Sequence, residues 1–330
     1  MKLSKQITLI TLFGVLLMFL SCGPDSMVVE SRLDGHIEEL TLKSAILTDG
    51  ETEEPVLKTI YVFLPPGYDT SEKRYPVIYY LHGHGVDSSE MLGFEKPLYG
   101  AMEQGNAASF ILVAVDGDNR LGGTFYVNSK NSGMWEDHFI QELIPLIDKR
   151  YRTLAASQSR GLMGFSMGGF GALRLGLARP ALFGAVWALC PGVLVPGKGL
   201  NDAMSYWKRT VGGFMESYAA AFSREAKIPQ FDGSAEDNAV IAEWEAGFGG
   251  WQERIDSYKK QESALRGIRI VYGETDFYTW IPEGSIYLAD AMQKQGIPAE
   301  LQGYPIGHTI RYGTVMDDAL PFFQRTLTAE

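Results

Sequence analysis

Gly164-Phe165-Ser166-Met167-Gly168 sets a serine between two glycines in the pattern G-x-S-x-G. A serine hydroxyl is a poor nucleophile at neutral pH, so the pattern carries chemistry only if a base can reach it. The chain offers His36, His82, His84, His138 and His308, and only His308 follows Ser166. It lies in Tyr304-Pro305-Ile306-Gly307-His308-Thr309, after the last strand-like run. An imidazole that takes the serine proton needs a carboxylate to fix its tautomer and stabilise the imidazolium. Gly273-Glu274-Thr275-Asp276-Phe277 supplies two candidates just past the apolar run 268–272. Asp276 is assigned as the acid, with Glu274 its rival on the same loop. Asp202, Asp232, Asp237 and Asp256 are expected to be surface charges.

The context of the serine strengthens the pattern. Residues 161–165 read as a buried strand, and a small, apolar helix is expected over 167–178, with Gly168, Gly169 and Gly171 in its first turn. A strand, a very tight turn and a helix form the nucleophile elbow of α/β-hydrolases, whose chain order is serine, acid, histidine. The glycines are needed because a Cβ at the flanking positions would collide with the adjacent strand or helix. A tetrahedral intermediate needs two backbone donors. The N–H of Met167 supplies one. The other is assigned to the N–H of His84, in Tyr80-Leu81-His82-Gly83-His84-Gly85, a loop that follows the strand-like run 76–81. His82 and His84 have no accompanying carboxylate or cysteine spacing, so no metal is expected, and no organic cofactor.

These groups must be held by a frame. Runs 37–47 and 58–64 precede any long helix and suit an antiparallel start to a sheet. Near-continuous apolar runs follow at 76–81, 110–115, 161–165, 183–189 and 268–272, with a weaker one at 299–304. Helical patterns fall between them at 135–151, 167–178, 283–295 and 311–327, and Pro145 should kink or divide the first. Strands alternating with helices give a mostly parallel sheet covered on both faces, the α/β class. Residues 196–262 break the alternation. They are Gly-rich and aromatic, with Trp207, Phe214, Tyr218, Phe222, Trp244, Phe248 and Trp251, and read as a cap-like insertion, mostly helical. Its rings either stack on a flat or sugar-like group or form the insertion's own core.

The 330 residues are 45% apolar and 21% charged, which excludes disordered, collagen-like and coiled-coil classes. A net charge of −11 gives no footprint for nucleic acid or an anionic bilayer. Two cysteines cannot build a disulfide framework or a multi-cysteine zinc site. Lys2 and Lys5 precede the apolar stretch 7–20, too short to span a bilayer comfortably, so residues 1–22 read as an export signal. Phe19-Leu20-Ser21-Cys22 resembles a bacterial lipobox, with Cys22 lipidated as the mature N-terminus; plain secretion with cleavage near Ser21 is the alternative. The expected location is the periplasm or the outer membrane, with membrane contact only through that lipid anchor. Residues 23–36 are expected to tether a catalytic domain spanning 37–330. Cys190, in an apolar run, is expected to be a buried, inert thiol.

The chain resembles the esterase D-type branch of α/β-hydrolases, which includes feruloyl and acetyl-xylan esterases, S-formylglutathione hydrolases, siderophore esterases and mycolyltransferases. The likeness rests on Val62-Phe63-Leu64-Pro65-Pro66-Gly67-Tyr68, Tyr75-Pro76-Val77-Ile78-Tyr79-Tyr80-Leu81-His82-Gly83, Trp135-Glu136-Asp137-His138-Phe139 and, most specifically, residues 161–169 around the elbow. It implies Ser166 as nucleophile, Asp276 as acid, His308 as base, and His84 and Met167 as oxyanion donors. It also implies a serine carboxylesterase that forms an acyl-enzyme on a small-molecule or carbohydrate ester. A feruloyl or acetyl carbohydrate ester fits best; a siderophore lactone or acyl transfer to an acceptor alcohol is the alternative. The export signal argues against a cytosolic thioester. Two features depart from the family pattern: Ile310 where an aromatic residue often stands, and the insertion 196–262.

Overall fold

Runs that lack polar alternation become strands buried on both faces. Eight strands form one sheet: β1 (His36–Thr48), β2 (Pro55–Leu64), β3 (Val77–Leu81), β4 (Ile111–Val115), β5 (Arg160–Phe165), β6 (Ala185–Leu189), β7 (Gly267–Gly273) and β8 (Ala299–Tyr304). The computed structural model describes residues 34–48, 55–210 and 214–329. The expected export segment, Cys22 and the tether up to residue 33 lie outside them. Among the described residues, no helix is long and apolar enough to cross a membrane.

The strand order is β1-β2-β4-β3-β5-β6-β7-β8. β1 and β2 pair antiparallel, and so do β2 and β4; from β4 through β8 every neighbour is parallel. Every residue of β3, β4, β5 and β6 is buried, as a sheet with helices on both faces requires. Each large apolar side chain so placed contributes about 1.5–3 kcal/mol. The chain leaves β3 for β4 on one side and returns to β5 on the other. The carboxyl ends of β3 and β5 therefore flank a switch point, where an open α/β sheet leaves a crevice. Leu81 pairs with Gly164 in that register, which sets the loop after β3 beside the turn after β5.

Five helices serve the argument outside the insertion or at its edge. They are α1 (Glu95–Glu103), α2 (Ile144–Arg150), α3 (Met167–Ala178), and, after four insertion helices, α8 (Trp280–Lys294) and α9 (Leu320–Thr326), with Tyr312–Thr314 a single short turn. The helix expected over 135–151 is divided just before Pro145, where a short α turn (Trp135–Asp137) and a π-helical stretch give way to α2. Residues His138–Leu143 wind as a π-helix just before it, so the chain absorbs the missing N–H and the clash of the ring with the preceding turn. The same device, Val315–Ala319, precedes Pro321 in the helix expected over 311–327.

The insertion folds as α4 (Gly199–Thr210), α5 (Phe214–Phe222), α6 (Ala235–Trp244) and α7 (Trp251–Tyr258). Most of its rings are core. Trp244 and Trp251 are fully buried, and Phe248 stacks on Phe170 of α3 at 4.7 Å between centroids. Asp237 is not the surface charge expected of it. It is 6% exposed and accepts the N–H groups of Gln230 and Asp232 at 2.7 and 3.1 Å, which organises the loop before α6.

Candidate active site

Ser166 sits between β5 and α3 with φ 55° and ψ −114°, a strained conformation for a residue with a side chain. Its N–H is tied to Leu189 O at 2.9 Å. The turn is as tight as the glycine pattern requires: a Cβ on Gly164 would lie 2.1 Å from Gly168 O, and one on Gly168 would lie 1.9 Å from Leu81 O. Backbone approaches of this kind leave no side chain that could yield. The strain presents the hydroxyl at the sheet's rim.

The structure brings Ser166, His308 and Asp276 together. His308 Nε2 lies 2.8 Å from Ser166 Oγ, and His308 Nδ1 lies 2.8 Å from Asp276 Oδ2. Asp276 is 6% exposed, and its other oxygen accepts the Tyr278 N–H at 2.8 Å. With Asp276 accepting at Nδ1–H, Nε2 is free to accept the serine proton. Glu274, the rival acid, is exposed at the turn of the same loop. Phe165, Phe277 and Tyr278 surround the imidazole, at 5.0, 5.6 and 4.8 Å between centroids.

His84 and Met167, whose N–H groups are the assigned donors, line the same cavity as Ser166. Met167 opens α3, so its N–H has no preceding turn to bond and faces outward with the helix N-terminus. In the loop after β3, Gly83 N–H donates to Glu90 Oε2 at 3.2 Å and Gly85 N–H to Gly122 O at 2.7 Å. The N–H of His84, between them, has no protein acceptor among the described residues. His82 fixes the loop from beneath: its Nδ1 donates to Gly83 O at 2.7 Å, and its Nε2 accepts Gly117 N–H at 2.8 Å. Burial lowers the pKa of both His82 and His84, that of His84 to about 4, so both imidazoles are neutral at pH 7.

Three contributors were not legible in the sequence. Glu90 accepts the Tyr80 hydroxyl at 2.5 Å and the Gly83 N–H, and burial raises its pKa. Ser217 of α5 meets His84 at 2.8 Å. Cys190 is the third: it ends β6 with φ 44°, is buried as expected, and comes within 4.8 Å of Asp276 and His308. Burial and the Asp276 carboxylate push its thiol up to about 12, so it stays protonated and is a poor metal ligand. Beside Ser166 lies a narrow cavity walled by Phe125, Trp207, Phe214, Tyr218, Tyr278 and Trp280. Insertion rings thus border the site even though most of them pack internally.

The model of the putative esterase family matches residues 57–275. An esterase of Mycobacterium tuberculosis is 28% identical over 276 residues, covering 76% of this chain and 52% of its own. An endo-1,4-beta-xylanase/feruloyl esterase of Xylanibacter ruminicola is 32% identical over 151 residues, covering 41% of this chain and 20% of its own. The chain thus spans about half or less of the length of these curated relatives. Among solved structures, a ferulic acid esterase superposes with a TM-score of 0.62 at 21% identity, covering 89% of this chain and 99% of that one. An S-formylglutathione hydrolase from Agrobacterium tumefaciens gives 0.63 at 18% identity, covering 90% and 97%. With the sheet, the elbow and the matched span taken together, the chain belongs to the putative esterase family, as an α/β-hydrolase carrying the constellation of a serine carboxylic ester hydrolase.

Proposed function

We propose that this protein is an exported serine carboxylesterase that cleaves a carbohydrate-linked feruloyl or acetyl ester through an acyl-enzyme. The observation that carries the reading is the 2.8 Å contact between His308 Nε2 and Ser166 Oγ, with Asp276 on the far nitrogen. Ser166 Oγ attacks the ester carbonyl carbon while its proton passes to His308 Nε2. The negative oxygen is received by the N–H groups of Met167 and His84. Collapse of the intermediate breaks the bond to the alcohol oxygen, which leaves with the proton from His308. Water then repeats the sequence: its proton goes to His308, its oxygen bonds the acyl carbon, and Ser166 leaves reprotonated. Asp276 keeps the imidazole oriented and stabilises its cation without itself taking the proton.

The carbohydrate ester is supported by the aromatic rings that border Ser166 and by relatives named as feruloyl or ferulic acid esterases. Export is supported by Lys2, Lys5, the apolar stretch 7–20 and Cys22. The test is a panel of feruloylated arabinoxylan fragments, acetylated xylan and a catecholate trilactone, run with and without a free sugar acceptor. Release of ferulate or acetate is expected. Cleavage of the trilactone alone, or transfer to the sugar in place of hydrolysis, would replace this reading. Radiolabelled palmitate incorporated by the wild type and lost in Cys22→Ala would establish the anchor.

A further inference from the structure

Among the described residues, a polar contact joins the insertion to the loop after β3. Ser217, on α5, is fully buried. Its hydroxyl donates to Phe214 O at 2.8 Å, one helical turn back. The same oxygen lies 2.8 Å from His84 Nε2, so it bridges that ring to the backbone of its own helix. The rest of the imidazole is held as firmly. The Phe214 ring stacks on it at 3.9 Å between centroids with 20° between planes. On another side the backbone of residues 122–123 approaches so closely that a Cβ on Gly122 or Gly123 would lie 2.9 or 2.8 Å from ring atoms. A side chain confined on these sides fixes the backbone that carries it.

We propose that Ser217 is a positioning residue for the reaction: through the His84 ring it holds the His84 N–H in line with the developing oxyanion. Helix α5 is then part of the catalytic apparatus and not a detachable cover. The inference rests on the reading of His84 N–H as an oxyanion donor. Such donors act only within a few tenths of an ångström of their target, so a loosened loop loses transition-state stabilisation while ground-state binding is kept.

The test uses the full chain and p-nitrophenyl acetate, with rates taken per site titrated by a fluorophosphonate. A trifluoromethyl ketone serves as second probe. Ser166 Oγ adds to its carbonyl carbon, the proton passes to His308, and the resulting hemiketal oxygen occupies the oxyanion position. In Ser217→Ala, kcat is expected to fall about tenfold with KM within about twofold, and the ketone's Ki to rise by the same factor as kcat falls. Ser217→Thr keeps the hydroxyl and should restore most of both. Ser217→Cys, nearly isosteric with a weak acceptor, should fall between, and serves if Ala or Thr does not fold. A kcat within about twofold of wild type in Ala or Cys, or a loss confined to KM with Ki unchanged, overturns the proposal. A wild type that neither hydrolyses the ester nor is labelled at Ser166 overturns instead the esterase reading beneath it.

Discussion

Ser166 and His308 stand 142 residues apart in the chain, yet meet at 2.8 Å. Parallel strands bring this about. Ser166 directly follows β5, and β7 and β8 run in the same direction in the sheet, so the loops after all three open at one rim. Asp276 and His308 arrive on two of those loops.

If the contact is the reacting one, removing the hydroxyl removes the reaction. Ser166→Ala is expected to lower turnover of p-nitrophenyl acetate by about a millionfold and to abolish fluorophosphonate labelling. Initial rates and a labelled gel check both. Turnover at the wild-type level would refute the assignment of Ser166.

Asp276→Asn keeps the size of the side chain but presents an amide N–H or a neutral oxygen to His308 Nδ1. The wrong tautomer becomes favoured, so kcat should fall by about 10⁴ with the fold intact. Rates together with a thermal melt separate the two effects. A loss of less than about tenfold would pass the role to another carboxylate, and Glu274→Gln would then be the variant to measure.

The elbow makes a purely steric demand. Gly168→Ala would set a methyl group 1.9 Å from Leu81 O, a backbone atom in the fully buried β3. Destabilisation of at least about 4 kcal/mol is expected, seen as insoluble protein or a large fall in denaturation midpoint. A soluble variant with an unchanged midpoint would mean that the turn can open.

Buried neutral imidazoles give a pH dependence of stability whose sign is fixed. Burial is the largest cause lowering the pKa of His82, His84 and His138, to about 4 for His84. The unfolded chain binds these protons near pH 6.5 and the folded chain resists them, so stability is full above that value and declines as pH falls toward 4. His84 alone then removes about 2 kcal/mol at pH 5. Calorimetric melts at pH 7.0, 6.0 and 5.0 should show the midpoint falling before most carboxylates titrate. A flat midpoint across that range would contradict the buried neutral state.

Asp318 carries a different load. It accepts Trp187 Nε1–H at 2.8 Å, Arg269 Nε and Nη2 at 2.6 Å each, and Tyr304 O–H at 2.6 Å. Asp318→Ala strips a guanidinium of its buried partner and should cost about 3–5 kcal/mol in a urea titration. A loss under about 1 kcal/mol would show that Glu300, Arg269's other partner at 2.6 Å, suffices.

The frame was legible because buried parallel strands are written as uninterrupted apolar runs. The run expected at 299–304 appears unchanged as β8, and that at 268–272 extends by one residue at each end in β7. The elbow was legible because its geometry tolerates only glycine at Gly164 and Gly168. The order of Ser166, Asp276 and His308 followed from the fold. What stayed hidden depended on long-range packing. Nothing about Glu90 marks it as the acceptor for Gly83, and nothing about Ser217 distinguishes it from other helical serines. The burial of Asp237 arises from its capping of a loop that sequence alone does not shape. The rings of the insertion carry the same composition whether they face a ligand or one another, so only the fold could assign them to the core.

Trp207, Trp244 and Trp251 are three of the chain's six tryptophans, and all three lie in the insertion at 2% exposure or less. Intrinsic fluorescence should therefore be blue-shifted and poorly quenched by acrylamide. It reports chiefly on these helices, with Trp187 the sheet's own chromophore. A red shift that precedes the loss of far-ultraviolet dichroism would give an optical signal for the insertion parting from the sheet, read on the unlabelled, unsubstituted protein.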